Sequence, residues 1–471
     1  MDQLPNEILA YIFALIILDP SENPAFVSKL GQVCSRWRAL VVSTASLWSR
    51  IVLAYPMNNP QLVYAAIALE RSAAHPLDIL LDCRDPEWDW EEETHNFQGT
   101  HMQSILPLIL PHSSRWKKIE VLSDTWAPVH AFLQATQETP LPILESASLS
   151  RCNAYFAAPG ETFQPESMRS PIALFGGRSL QSLRDVSLVG VHVDWDKSAL
   201  VHLRRLEFKY HSRDVMPTIH QFLRILGQCP DLLELSIVGW GPILDPKSTA
   251  VTAIELPSLQ KLSFGFIDMS YSTALLSLFQ LPSLRKLSLE DVLRVVTPLE
   301  DTDTSGFLQW LYTFQPTQRA SFAGTLQMSS SIPLQGVQEL RLQSIRSDTL
   351  TFTRFFQCFP RLQILSCHDV PDNALVALSS TIQTAGRQSN IPHLCPSLSE
   401  LHFQDADPSL LMDLVAARTA CEGVTPLRKV TLEYVRVPRP SPDSPTFAHL
   451  ERSGISCVGG TPSGSETSDS E

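Results

Sequence analysis

The chain has 471 residues, with 36 Lys and Arg against 49 Asp and Glu, and a formal net charge of −13. Apolar residues make up 44% and charged residues 18%, which allows a large core and excludes wholesale disorder. The acidic balance argues against a nucleic-acid binder, which needs a basic face to displace phosphate counterions. The longest apolar run, Ile8 to Leu18, is eleven residues, short of the roughly 18 to 20 of a membrane span. The start, Met1-Asp2-Gln3, lacks the basic residues of a signal peptide. Nine cysteines are present, none spaced as CxxC, which reads as reduced thiols rather than a zinc knuckle or a disulfide framework. A soluble cytoplasmic or nuclear protein is expected.

Leu4-Pro5-Asn6-Glu7-Ile8-Leu9 opens a helix, Pro5 being tolerated in a first turn. Leu4, Ile8 and Ile12 share one face, while Leu9, Phe13, Ile16 and Ile17 line its neighbour. A helix apolar on both faces needs burial on two sides, one in its own domain and one in a partner. Asp19 to Pro24 breaks the chain. A second helical pattern runs through Leu30, Val33, Cys34, Trp37, Leu40 and Val41, and Leu47-Trp48 closes the segment.

These blocks, Leu4-Pro5-x-Glu7-Ile8-Leu9, Ile12-Phe13, Val33-Cys34-x-x-Trp37-Arg38 and Leu47-Trp48, resemble the F-box in order, spacing and residue type. The insert between Pro20 and Pro24 looks like the variant of mushroom-forming fungi. The resemblance implies a three-helix plug over residues 1–54 that docks on the Skp-type adaptor of a cullin–RING ubiquitin ligase. On it, Leu4, Pro5, Ile8, Ile12 and Val33 become candidate adaptor contacts. Trp37, Leu47 and Trp48 become candidates for the same interface or for the plug's own core.

Residues 55–115 read as a helical linker with an acidic insertion, Asp85 to Glu93, and a first degenerate repeat at Pro76 to Leu81. From Trp116 to about residue 437 an L-x-x-L-x-L pattern recurs eleven times, as in Leu259-Gln-Lys-Leu262-Ser-Phe264 and Leu284-Arg-Lys-Leu287-Ser-Leu289. Six of the ten gaps between first positions fall between 25 and 29; one is 53, as if a copy were missing near Leu308 to Phe322. Each L-x-L alternates as a short strand. Helical spacing follows at Asp214 to Cys229, Ser272 to Gln280, Asp348 to Phe359, Asp372 to Ile382 and Asp407 to Thr419, each opened by a capping residue. The pattern resembles leucine-rich repeats. The resemblance implies an α/β chain whose helical F-box precedes an irregular solenoid with a parallel sheet on its concave face. One departure is plain: where such repeats carry Asn or Cys, this chain has Val191, Trp240, Ile267, Val292, Ile345, Val370 and Val435.

The exposed positions of the strands hold mostly Ser, flanked by charge. Arg205, Glu207, Glu234, Lys261, Lys286, Arg341 and His402 are the candidate contacts to a protein substrate. Residues 438–471, rich in Pro, Ser, Gly and acids, read as a disordered tail. No phosphate-binding glycine loop, nucleophile elbow, HExxH or kinase set occurs, and His95 and His101 lack a third ligand nearby. No catalytic residue, cofactor or metal is therefore expected. The leading expectation is a substrate receptor of an SCF-type ligase, tied through the adaptor to a cullin; the alternative is a repeat scaffold without a role in ubiquitination.

Overall fold

A computed structural model describes residues 4–18, 26–90, 92, 94–152, 157–244, 253–297, 302–313, 332–385 and 394–459. Contacts divide the chain into two units, Met1–Cys229 and Pro230–Glu471.

The first unit starts with three helices, α1 (Asn6–Leu18), α2 (Phe26–Val33) and α3 (Ser35–Ser43), and a 3₁₀ turn at Ala45–Trp48. The strands and helices that follow are β1 (Arg50–Ala54), α4 (Asn59–Arg71), β2 (Leu77–Asp82), α5 (Gly99–Ile109), β3 (Trp116–Ser123), α6 (Trp126–Ala135), β4 (Ser146–Arg151), β5 (Asp185–Val189), β6 (Arg205–Lys209) and α7 (Ile219–Gly227). Strands β1 to β6 pair in chain order, each parallel to the next. Strand β2 lies where the first degenerate repeat was expected, at Pro76 to Leu81, and the N-terminal helices run directly into the first strand of the sheet.

The second unit contains β7 (Glu234–Val238), β8 (Ile254–Glu255), β9 (Lys261–Phe266), α8 (Met269–Leu276), β10 (Phe279–Gln280), β11 (Lys286–Asp291), α9 (Leu293–Val296) and α10 (Ser305–Thr313). It continues with β12 (Glu339–Gln343), α11 (Thr349–Phe356), β13 (Ile364–His368), α12 (Asn373–Ala385), β14 (Glu400–Gln404), α13 (Pro408–Ala420), β15 (Lys429–Tyr434), α14 (Pro445–Arg452) and β16 (Ile455–Gly459). Its parallel sheet runs β7-β9-β11-β12-β13-β14-β15-β16, and β8 pairs with β10 apart from it.

Each of the eleven copies of the repeat forms a strand, and every apolar position of the motif except Leu427 is buried. The residues standing where an Asn ladder is usual are part of the core: Val191, Trp240, Ile267, Val292, Ile345 and Val370 are buried, whereas Val435 is exposed. Buried backbone amides still need acceptors, and here the neighbouring strand supplies them. The residue just past a strand donates across, as in Gly190 N to Lys209 O at 2.8 Å, Gly239 N to Gly265 O at 3.0 Å, Ser344 N to His368 O at 2.8 Å and Asp405 N to Glu433 O at 2.8 Å. All four donors have positive φ: 62° at Gly190, 97° at Gly239, 57° at Ser344 and 53° at Asp405. Glycine takes that conformation without a Cβ clash, and Asp and Ser can offset part of its cost by local hydrogen bonds.

Three expectations are corrected. The gap of 53 places no strand between its flanking copies, because β11 pairs directly with β12, Leu287 opposite Leu340; helix α10 fills part of the connection, and 298–301 and 314–331 lie outside the described residues. The tail is folded further than its composition suggested. Ser444 caps α14, its Oγ accepting from Phe447 N at 3.1 Å, Leu450 and Ile455 are buried, and β16 pairs with β15; residues from 460 on lie outside the described residues. Two helix starts also move. Asp214 is taken up by Arg169 at 2.6 Å, so α7 begins instead at the Thr218–Gln221 capping box. Asp268, not Ser272, caps α8.

Candidate functional site

The three N-terminal helices sort the apolar residues of α1 onto two faces. Leu9, Phe13 and Ile17 are buried together with Val27, Leu30, Val41, Leu47 and Trp48. Polar side chains fasten this core: Trp48 Nε1 donates to Val41 O at 2.8 Å, Arg38 Nε to Gly31 O at 3.0 Å and Arg50 to Ile17 O at 3.1 Å. Arg36 ties α3 to the start of α1 through Asn6 Oδ1 at 2.9 Å and the Leu4 carbonyl. Leu4, Ile8, Tyr11, Ile12 and Leu15 face outward on the other side, Ile8 at 47% exposure. Pro5 is exposed as well, and so is Val33, at 63%. Burying an aliphatic side chain of this size is worth about 1.5–3 kcal/mol, so this row is an apolar patch that the described residues leave in water.

Residues 1–54 match the F-box-like family model. Domains of this class generally bind Skp-type adaptors. No curated protein matches the chain. Among the described residues no helix is long and apolar enough to cross a membrane.

Of the eight candidate adaptor contacts in the F-box-like domain, Leu4, Pro5, Ile8, Ile12 and Val33 are on the surface. Trp37 is half-buried, its ring edge-on to Phe13 with centroids 4.7 Å apart. Leu47 and Trp48, at 2% exposure, are corrected to core residues of the domain and present nothing to a partner. Tyr11 and Leu15 were missed, although they fall at i+7 and i+11 from Leu4 and so share its face.

The candidate substrate contacts occupy the outward positions of the strands, but most are engaged with one another. Lys261 pairs with Glu234 at 3.1 Å and Lys286 with Glu339 at 2.6 Å, each bridging adjacent strands. Glu207 is corrected to a half-closed network residue: at 8% exposure it is held by Lys209 at 3.1 Å, Arg205 at 3.3 Å and the Ser187 hydroxyl at 3.1 Å. Desolvation works to raise its pKa, yet those two cations and the hydroxyl bring the net shift down. Arg341 is exposed, with one long hydrogen bond to Gln343 at 3.4 Å. His402 Nε2 meets Glu433 Oε2 at 3.2 Å.

Two carboxylates of the acidic insertion, Asp85 and Glu92, turn inward, whereas Glu87 and Asp89 are exposed. Asp85 accepts from Glu87 N at 3.0 Å and from Asn96 at 2.8 Å, and these hydrogen bonds hold its pKa below the usual carboxylate range. Glu92 accepts from Trp126 N at 2.7 Å and pairs with the buried Arg151. His95, buried, bonds Asp124 at 3.0 Å rather than joining His101 in a metal site. Trp88 lies against His95, and only Trp90 stands out in solvent.

Proposed function

We propose that this chain is a substrate-recognition subunit of an SCF-type ubiquitin ligase. The F-box-like domain docks on a Skp-type adaptor, and through it on a cullin. The parallel strand–helix units, read as leucine-rich repeats, hold a protein substrate by their outward strand positions, with Arg205, Arg341 and His402 the side chains best placed to meet it. The protein itself performs no bond chemistry. It raises the local concentration of substrate beside the ubiquitin-charged enzyme, in the cytosol or the nucleus. The observation that carries this reading is that Leu4, Ile8, Ile12 and Val33 are all left in solvent within residues 1–54.

The experiment is a pull-down with purified Skp adaptor, comparing the wild type with Ile8→Asp/Ile12→Asp. Wild type is expected to bind. The double variant is expected to keep its circular dichroism spectrum and lose binding at least a hundredfold, because a carboxylate enters an apolar groove unpaired. A wild type that does not bind the adaptor sinks the proposal.

A further inference from the structure

Far along the sequence from the F-box-like domain, three adjacent strands bring two imidazoles and a carboxylate together. In β14, His402 lies in register between Ser366 of β13 and Thr431 of β15, and Gln404 lies opposite Glu433. His402 Nε2 is 3.2 Å from Glu433 Oε2, and His368 Nδ1 is 3.8 Å from the same oxygen. One ligand atom from each of the three falls within 4.8 Å of the other two. The two rings lie 4.9 Å apart at 32°. All three side chains are half-buried, and the two histidines border an open depression of about 280 Å³, which Ser366, Glu400, Lys429 and Thr431 also line.

A single histidine–glutamate hydrogen bond would account for His402 and Glu433. It would not account for a second imidazole converging on the same carboxylate oxygen. Two imidazolium ions so close would repel, whereas neutral imidazoles present lone pairs. Burial above all, then the Arg341 charge and the neighbouring His402, push the His368 pKa down, against the opposing pull of Glu433 and Gln404. Two neutral imidazole nitrogens and one carboxylate are the donor set of zinc and similar borderline metals, not of calcium or magnesium, which prefer oxygen. Metal bonds of about 2.0–2.2 Å in tetrahedral array place donors roughly 3.3–3.6 Å apart. The separations of 3.2 and 3.8 Å bracket that range.

We infer that His368, His402 and Glu433 form a three-ligand site for zinc, with the fourth coordination position open to the outer surface of the strands. The ligands come from three consecutive strands, so the ion would clip adjacent repeats together. The open position would accept water or a donor side chain of a bound protein. The inference does not depend on the adaptor reading. Sequence alone does not suggest it, because His368, His402 and Glu433 follow one another at intervals of 34 and 31 residues and only the strand pairing makes them neighbours.

The test is calorimetric titration of the chelator-treated full chain with zinc chloride, under reducing conditions. The wild type is expected to bind one equivalent and to show an upward Tm shift. His402→Ala and Glu433→Gln are each expected to weaken binding at least tenfold with unchanged circular dichroism. If His402→Ala fails to fold, Glu433→Gln alone decides, since it keeps the shape of the side chain. The groups facing the two imidazoles are Glu433, Glu400, Gln404, Arg341 and Lys429. Absence of zinc binding by the wild type overturns the inference. So does equal affinity in wild type and Glu433→Gln, which would assign any bound zinc to the cysteines.

Discussion

Ile8 and Ile12 in α1 are as apolar as Leu340 and Leu401 in the strands, yet the first pair stands in solvent and the second pair is all but fully buried. The strand leucines meet helices of their own chain. The outer face of α1 meets none among the described residues. Charged side chains show the reverse pattern: on the outer face of the strands of Pro230–Glu471 they bind one another, as Lys286 does Glu339. One surface is therefore apolar and unpartnered, and the other is polar and largely self-satisfied. The first suits a fixed, hydrophobic docking partner. The second suits a partner met by shape and by exchange of surface ion pairs, which are individually weak.

Mutations on the two sides of each surface sharpen this contrast. The largest effect is expected from Trp48→Ala, which empties the core under α1 and leaves the Val41 carbonyl without its donor. It should cost about 3–5 kcal/mol in the stability of the helical segment, read by denaturant melts, and should abolish adaptor binding only through unfolding. A result as mild as a surface substitution would mean that the helices are held by something other than this core.

Acid should act next. His211 is buried, its Nε2 3.0 Å from the Val191 carbonyl, and burial pushes its pKa down to about 4. The unfolded value is about 6.5, so the unfolded chain takes the proton first. Stability is complete above pH 6.5 and falls as pH drops from 6.5 towards 4, by about 3 kcal/mol in all. In His211→Gln this pH-dependent loss should be absent from urea melts over that range; an unchanged pH slope would show that another group is responsible.

Ile8→Asp/Ile12→Asp separates binding from folding. Stability is expected to move by no more than about 0.5 kcal/mol, while affinity for the adaptor drops at least a hundredfold, about 2.7 kcal/mol. Equal losses of both would place α1's outer face in the core and erase the contrast with the strands.

The smallest effect belongs to the strand surface. A double-mutant cycle on Lys286→Ala and Glu339→Ala should return a coupling of about 0.2–1 kcal/mol, diminished by salt. A larger value would mark the pair as part of a shielded site rather than an open ion pair.

Much of this was legible in the residue order, and for a physical reason. A strand with one buried face writes itself as period two, and all eleven copies of L-x-x-L-x-L became strands in parallel register. The caps of α11 and α13 at Asp348 and Asp407 were equally local, since each carboxylate bonds an amide two or three residues on. Composition misled where a few apolar residues outweighed many polar ones: Leu450 and Ile455 carry α14 and β16 into a stretch that otherwise reads as tail.

The sequence by itself determined the class of the N-terminal domain, the period of the repeats and which residues in them turn inward, because each depends on neighbours a few positions apart. Only the tertiary structure decided between interface and core for the residues the sequence left open, putting Leu47 and Trp48 inside. It alone closed the gap between β11 and β12, and set His368, His402 and Glu433 around one point. Those outcomes depend on which strands and helices lie side by side, and such contacts join residues tens of positions apart that no local pattern connects.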